Sequence, residues 1–274
     1  MRLLFSYIIV SMLLIFANDS TLSAQGSTPL KPKLAPNQKE VGLVLGVGQN
    51  LLLGSFSPDC PNCLFDEGNR LGYTIGMVYD HEFTETWKWG FTALFHQLGF
   101  ESAYREIEDI ALEISDTKTE TVALKFRHLA EVDMSTFAFS PYIKWAPSSW
   151  FFLRLGITPY YIFSSNLTHS KELLQKTAVL SDGQSVTVEI PGSDNGKTIL
   201  QSGEFRSINA FGVNLDPAIG LNFHMSDFFR FSPVFQYSIP LNNISSTENN
   251  FKISSWRIFA EIRLVLRLRK SITK

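Results

Sequence analysis

The stretch from Trp256 to Arg269, W-R-I-F-A-E-I-R-L-V-L-R-L-R, constrains the fold more than any other part of the chain. Its even positions Trp256, Ile258, Ala260, Ile262, Leu264, Leu266 and Leu268 are all apolar, whereas Arg257, Glu261, Arg263, Arg267 and Arg269 are charged. A period of two specifies a strand, because successive side chains leave on opposite faces. One wholly apolar face backed by a face rich in ions fits either a soluble sheet or a membrane barrel.

The same alternation recurs over Glu40–Leu53, Arg70–Phe83, Trp87–Glu101, Thr119–Trp145, Trp150–Ser164, Ser207–His224 and Phe228–Leu241. The connections between these strands come in two kinds. Those at Glu82–Glu85, Ala146–Ser149 and Met225–Asp227 are short, and they alternate with long ones at Gly54–Asn69, Ser102–Lys118, Ser165–Arg206 and Asn242–Ile253. Outer-membrane barrels sort their loops in this way, with short turns on one side and long loops on the other, and a sandwich has no reason to. The reading is all-β: a single eight-stranded antiparallel transmembrane β-barrel over residues 40–268. Within Thr119–Trp145 the apolar parity flips near Ser135, which we read as a β-bulge inside one long strand. Aromatics near the short turns, among them Phe83, Trp87, Trp89, Trp145, Trp150, Phe151, Phe152, Phe223, Phe228 and Phe229, suit a membrane interface.

Composition supports this fold. The chain is 45% apolar with 23 Phe, 8 Tyr and 5 Trp, yet only its N-terminus holds a long apolar run. Residues 1–24 read as a secretory signal: Arg2 precedes an apolar stretch of about 14 residues, short of the ~20 needed to span a bilayer. Residues 25–39, with Pro29, Pro32 and Pro36, read as a disordered leader, and 269–274 as a short tail. A net charge of −2 argues against an electrostatic nucleic-acid binder.

The segment A-F-S-P-Y-I-K-W-A-P-S-S-W-F-F-L-R-L-G-I-T-P-Y, Ala138 to Tyr160, carries a strand with a central proline, a short turn and a second strand. Together with the glycine-rich first strand and the charged last one, it resembles the outer-membrane barrels of the porin-like superfamily, near the PorT-like barrels of Bacteroidetes and Chlorobi. The resemblance covers roughly Glu40 to Leu268 and implies a closed barrel in a Gram-negative outer membrane, in contact with outer-membrane lipid and inserted by the barrel-assembly machinery. It transfers no functional residue. The chain departs from many such barrels in ending on a basic tail instead of an aromatic residue.

Chemistry is sparser. Cys60 and Cys63 form a C-x-x-C in the first long loop, without the second pair a structural zinc site wants; a loop-stapling disulfide is the expectation for an exported chain. The polar parity places Lys88, Lys125, Arg127, Glu131, Asp133, Arg154, Asp216, Arg230, Arg257, Glu261, Arg263 and Arg267 in the lumen. An eight-stranded barrel is just wide enough for such side chains to fill, and buried charges must pair, so a packed ionic network is expected over a narrow anion path. His81, His96, His128, His169 and His224 sit in no nucleophile motif, and no cofactor is legible. The connection from Glu101 to Glu120 is acidic, a solvated hairpin or a surface for cations or a basic partner. The longest loop, with V-T-V-E-I at Val186 to Ile190, suggests a small hairpin near the barrel mouth. A non-enzymatic barrel with a structural or surface-recognition role follows; a narrow channel or a barrel component of a secretion or envelope-biogenesis complex, with an envelope protein partner, is the alternative.

Overall fold

The computed structural model describes residues 38–57, 63–115, 118–181, 183–190, 193, 196–205, 208–244 and 251–266. The strands are β1 (Lys39–Gly54), β2 (Gly68–Glu82), β3 (Trp87–Ser115), β4 (Lys118–Trp145), β5 (Phe151–Leu173), β6 (Thr177–Val179), β7 (Ser185–Thr187), β8 (Lys197–Glu204), β9 (Phe211–Leu221), β10 (Phe223–His224), β11 (Phe229–Pro240) and β12 (Phe251–Leu266). Eight of them, β1, β2, β3, β4, β5, β9, β11 and β12, form a ring in which every neighbouring pair is antiparallel. The seam joins the first and last strands of the ring: β1 pairs with β12 from Lys39↔Leu266 to Gly54↔Phe251. Lys39, expected in the leader, opens this seam.

Side chains alternate across the wall of the ring. Outward stand Leu43, Val47, Leu71, Ile75, Phe139, Ile157 and Ile262, all exposed on the isolated chain, while Asp80, Lys144, Glu261 and Arg263 are fully buried inside. A soluble protein has the opposite arrangement. An apolar exterior around a closed hydrogen-bonded ring is what hydrocarbon requires, because no backbone group is left unpaired at an edge. Near the short turns Phe83, Trp87, Trp89, Trp145, Trp150, Phe223 and Phe228 face outward as an aromatic girdle. Phe152 does not belong to it: the side chain is buried in the lumen, since it lies on the inward parity of β5.

Beyond the apolar belt the wall continues on one side. The connection expected as a loop at Ser102–Lys118 is largely strand: β3 and β4 stay in register from Trp87↔Trp145 to Glu113↔Thr119. At this end β5 exchanges partners, from β9 up to Tyr161 to β8 from Asn166 onward. The result is an outer sheet of β3, β4, β5 and β8. Alternation does not mark this extension because both faces of 104–113 mix apolar and acidic residues.

The parity flip in β4 has another cause than the expected bulge. Even-numbered side chains point inward along the whole strand, from Leu124 and Phe126 through Val132, Met134 and Thr136 to Tyr142 and Lys144. What changes at Ser135 is the medium outside, from water to lipid, and the chemistry of both faces inverts accordingly. A register irregularity exists at this level, but on β5: Ser135 pairs with Ser164 and Thr136 with Ile162, which leaves Phe163 as the extra residue.

Candidate functional site

The lumen near the short turns is filled by an ionic network supplied by seven strands. Glu40 of β1 accepts a hydrogen bond from Nζ of Lys88 on β3 at 2.7 Å and binds Arg230 of β11 as well. Asp80 of β2 accepts from Nζ of Lys144 on β4 at 3.1 Å and from the Tyr142 hydroxyl at 2.5 Å, and Arg263 of β12 lies 3.4 Å away. Glu261 is shared by two guanidiniums, Arg154 of β5 at 2.8 Å and its strand neighbour Arg263. Arg154 also donates to Gln236 at 3.0 Å. Two rings complete the packing, with Lys144 Nζ 3.9 Å from the Phe152 centroid and the Arg154 guanidinium 4.8 Å from that of Tyr142. Each cation thus meets a carboxylate, an amide or a π face, the condition on which buried charge is tolerated.

Higher in the lumen the pairing becomes neutral. Arg257 donates to Asn50 Oδ1 at 2.8 Å and to Ser255, Asp216 accepts from Thr158, and Thr74 bonds His96 at 2.7 Å. Above them an aromatic cluster closes the interior. Phe56 and Phe65, bridged to each other by backbone hydrogen bonds in the first long connection, stack at 5.2 Å. Phe56 contacts Phe100 at 5.0 Å and Phe251 at 5.8 Å.

Of the residues expected in the lumen, Lys88, Arg154, Asp216, Arg230, Arg257, Glu261 and Arg263 are there. Lys125, Arg127, Glu131 and Asp133 are not: they occupy the odd, outward parity of β4 above the belt. Asp133 pairs with Arg70 at 2.7 Å on the surface, and Arg127 stands 4.0 Å from Glu172. The physical reason is the absence of a bulge in β4, so its polar face never turns inward there. Arg267 and Cys60 lie outside the described residues, as do residues 1–24 and the tail 269–274. Cys63 is buried and disulfide-bonded. Glu40, Asp80, Tyr142 and Lys144 complete the network without having been singled out; their signal was polar parity within three residues of a strand end at the short turns.

The outer sheet has a core of its own. Leu124, Phe126, Leu173 and Ala178 are buried together, with Ile110, Leu112, Val188 and Ile190 packed against them. The expected small hairpin is the β6–β7 pair, Thr177↔Thr187 to Val179↔Ser185, and its continuation brings Val188 and Ile190 to this core. Beside it is a mostly apolar hollow of about 540 Å³, with Lys171, Glu113 and Glu189 as its charged lining. Below lies a polar cluster on the inward face of the same sheet. Burial, reinforced by the neighbouring His128, holds the His169 imidazole below the ordinary histidine range. Burial, then the Glu106 and Glu108 carboxylates, pushes the Tyr104 hydroxyl up to about 12.

A closed ring, an apolar belt and an ion-filled interior define a small transmembrane β-barrel. Several solved structures bear a loose likeness to the chain. The attachment invasion locus protein Ail of Yersinia pestis is 12% identical, over 82% of this chain and 97% of that one, with a TM-score of 0.32. OprG of Pseudomonas aeruginosa is 9% identical over 85% and 98%, with a TM-score of 0.38, and Neisserial surface protein A is 8% identical over 82% and 96%, with a TM-score of 0.37. Superpositions this loose carry no functional inference. No family model matches the chain, and no curated protein sequence is significantly similar to it.

Proposed function

We propose that the protein is a non-enzymatic integral outer-membrane barrel of a Gram-negative envelope that presents its outer sheet for recognition at the cell surface. One observation carries this reading: the lumen is filled with paired side chains and capped by phenylalanines, whereas the wall is enlarged on the long-loop side into a sheet with a separate core and hollow. A scaffold closed along its axis and elaborated at one end invests in a surface, not a passage. The long-loop end faces outward, as in barrels with short periplasmic turns. The belt sits in outer-membrane lipid, and the ring reaches it through a signal peptide at 1–24 and the barrel-assembly machinery. The likeness of Ala138–Tyr160 to PorT-like barrels supports a place among the Bacteroidetes and Chlorobi type, and an envelope protein is the kind of partner the outer sheet suits.

The test is conductance of the purified chain in planar bilayers, run beside the boiling-dependent shift in gel mobility that reports a folded barrel. A folded barrel that gives no steps supports the reading. Regular conductance steps that change when Arg154 is replaced by Met would overturn it in favour of a narrow channel.

A further inference from the structure

The outer sheet brings together side chains that no sequence spacing announces. Glu106 and Glu108 stand two residues apart on the inward face of β3, and His128 faces them from β4. Nε2 of His128 lies 3.7 Å from Oε2 of Glu106 and 3.5 Å from Oε1 of Glu108. Both separations are long for a hydrogen bond, and among the described residues this buried nitrogen has no hydrogen-bond partner. Leaving a buried polar atom unsatisfied is costly. Both nitrogen–oxygen distances are those of donors sharing one ion, since metal–ligand bonds of about 2.0–2.1 Å at tetrahedral or wider angles set donor atoms roughly 3.3–3.7 Å apart.

The surroundings hold this arrangement in place. Nδ1 of His128 is hydrogen-bonded to Nε2 of His169 at 3.1 Å, which engages one ring nitrogen and leaves the other facing the carboxylates. Metal-ligating imidazoles are held from behind in this manner. The Tyr104 ring stacks on the imidazole at 4.8 Å and 6°. Lys171 binds Oε2 of Glu108 at 2.5 Å, so that Oε1 is the oxygen presented to His128. The His128 side chain is 6% exposed, but those of Glu106 and Glu108 are 41% and 28% exposed, which gives an ion a path from water. Cys63 Sγ shares the neighbourhood of the two histidines, but in its disulfide it offers no thiolate.

We propose that Glu106, Glu108 and His128 bind a divalent transition-metal cation of the zinc class, with His169 as the residue that positions His128. An imidazole with two carboxylates suits zinc better than the all-oxygen sets that calcium and magnesium prefer. The ion would satisfy the orphaned Nε2, neutralise Glu106 beside the Lys171-paired Glu108 and tie β3 to β4 above the membrane. The site goes beyond the surface role proposed above and does not depend on it, because a channel would carry the same cluster.

The full chain, refolded in detergent without an affinity tag and without reductant, is titrated calorimetrically with Zn²⁺ and, for its visible spectrum, with Co²⁺. The expected result is saturation at one equivalent. The half-exposed pair Glu106→Gln and Glu108→Gln, together, weakens binding at least about tenfold while the boiling-dependent gel shift is retained. His169→Gln leaves the ligands in place and alters the Co²⁺ spectrum, with affinity falling about 10- to 100-fold. Absence of saturable binding up to millimolar Zn²⁺, or wild-type binding by the double variant, would overturn the site. An unchanged spectrum and affinity in His169→Gln would remove that residue from it.

Discussion

Met134 and Thr136 stand one above the other on the inward face of β4, both fully buried, and the interior changes character between them. Above Met134 the inward residues Val132, Ala130, Phe126 and Leu124 build apolar cores; below Thr136 the inward residues Ser140, Tyr142 and Lys144 join the polar lumen. The outward face inverts at the same level, from Glu131 and Asp133 to Phe137 and Phe139. One strand therefore marks the depth of the bilayer surface.

The first prediction follows from that boundary. Ile157 lies outward near the middle of the belt, opposite Leu215. Ile157→Arg should cost about 2–4 kcal/mol, the range for a basic side chain at the bilayer midplane. Ala123→Arg, outward on β4 above the belt, should change stability by less than about 0.5 kcal/mol. Urea unfolding in lipid vesicles separates the two.

Glu261 is the carboxylate on which two buried guanidiniums depend. Glu261→Gln leaves Arg154 and Arg263 facing each other with one counter-charge fewer, and should destabilise the barrel by about 3–5 kcal/mol. Adding Arg154→Met should restore part of the loss. A double variant as unstable as the single one would show that the penalty is not electrostatic, and equilibrium urea titration of both reads the difference.

Gly220 of β9 packs against the ring that bears the Lys144 contact. A Cβ placed there would collide with Cζ of Phe152, whose ring holds the Lys144 contact. Gly220→Val should therefore cost about 1–3 kcal/mol through overpacking. Pairing it with Phe152→Leu should recover stability, measured as the temperature at which the compact gel band disappears.

The aromatic closure of the lumen gives a local prediction. Phe56 is fully buried among Phe65, Phe100, Phe205 and Phe251. Phe56→Ala should cost about 3–5 kcal/mol, with the loss concentrated in the first long connection because the belt and the lower ionic network are untouched. Protease should then cut between β1 and β2 of the folded barrel faster than in the parent chain.

The ring and its belt were legible because every belt strand keeps one face apolar, and period two survives whatever the partner strand. The short turns were legible because alternation stops and resumes within a few residues. The depth boundary was visible in β4 but assigned to the wrong cause. β5 crosses the same boundary with an extra residue at Phe163, which shifts parity just as the medium changes, so Phe163 and Leu167 keep one apolar parity in the sequence while pointing to opposite sides. The strand that looks irregular is straight, and the one that looks regular carries the bulge. Lys88, Arg154, Asp216, Arg257, Glu261 and Arg263 lie on the buried side of the ring, as their parity suggests, Arg267 lies outside the described residues, and the residues of upper β4 face outward together for this reason. The histidine–carboxylate cluster was out of reach because its members come from three strands, and only the register of β3, β4 and β5 makes them neighbours.

The seam between β1 and β12 bears on how such a chain is made. Gly48 and Arg257 are partners across it, separated by almost the whole described chain. Closure cannot occur until β12 reaches β1, so every earlier intermediate carries two open edges able to pair with a neighbouring molecule. Contacts so distant in sequence also form slowly. Ring closure thus waits on the strand most distant in sequence from its partner, and damage to β12 is expected to yield aggregates rather than a smaller barrel.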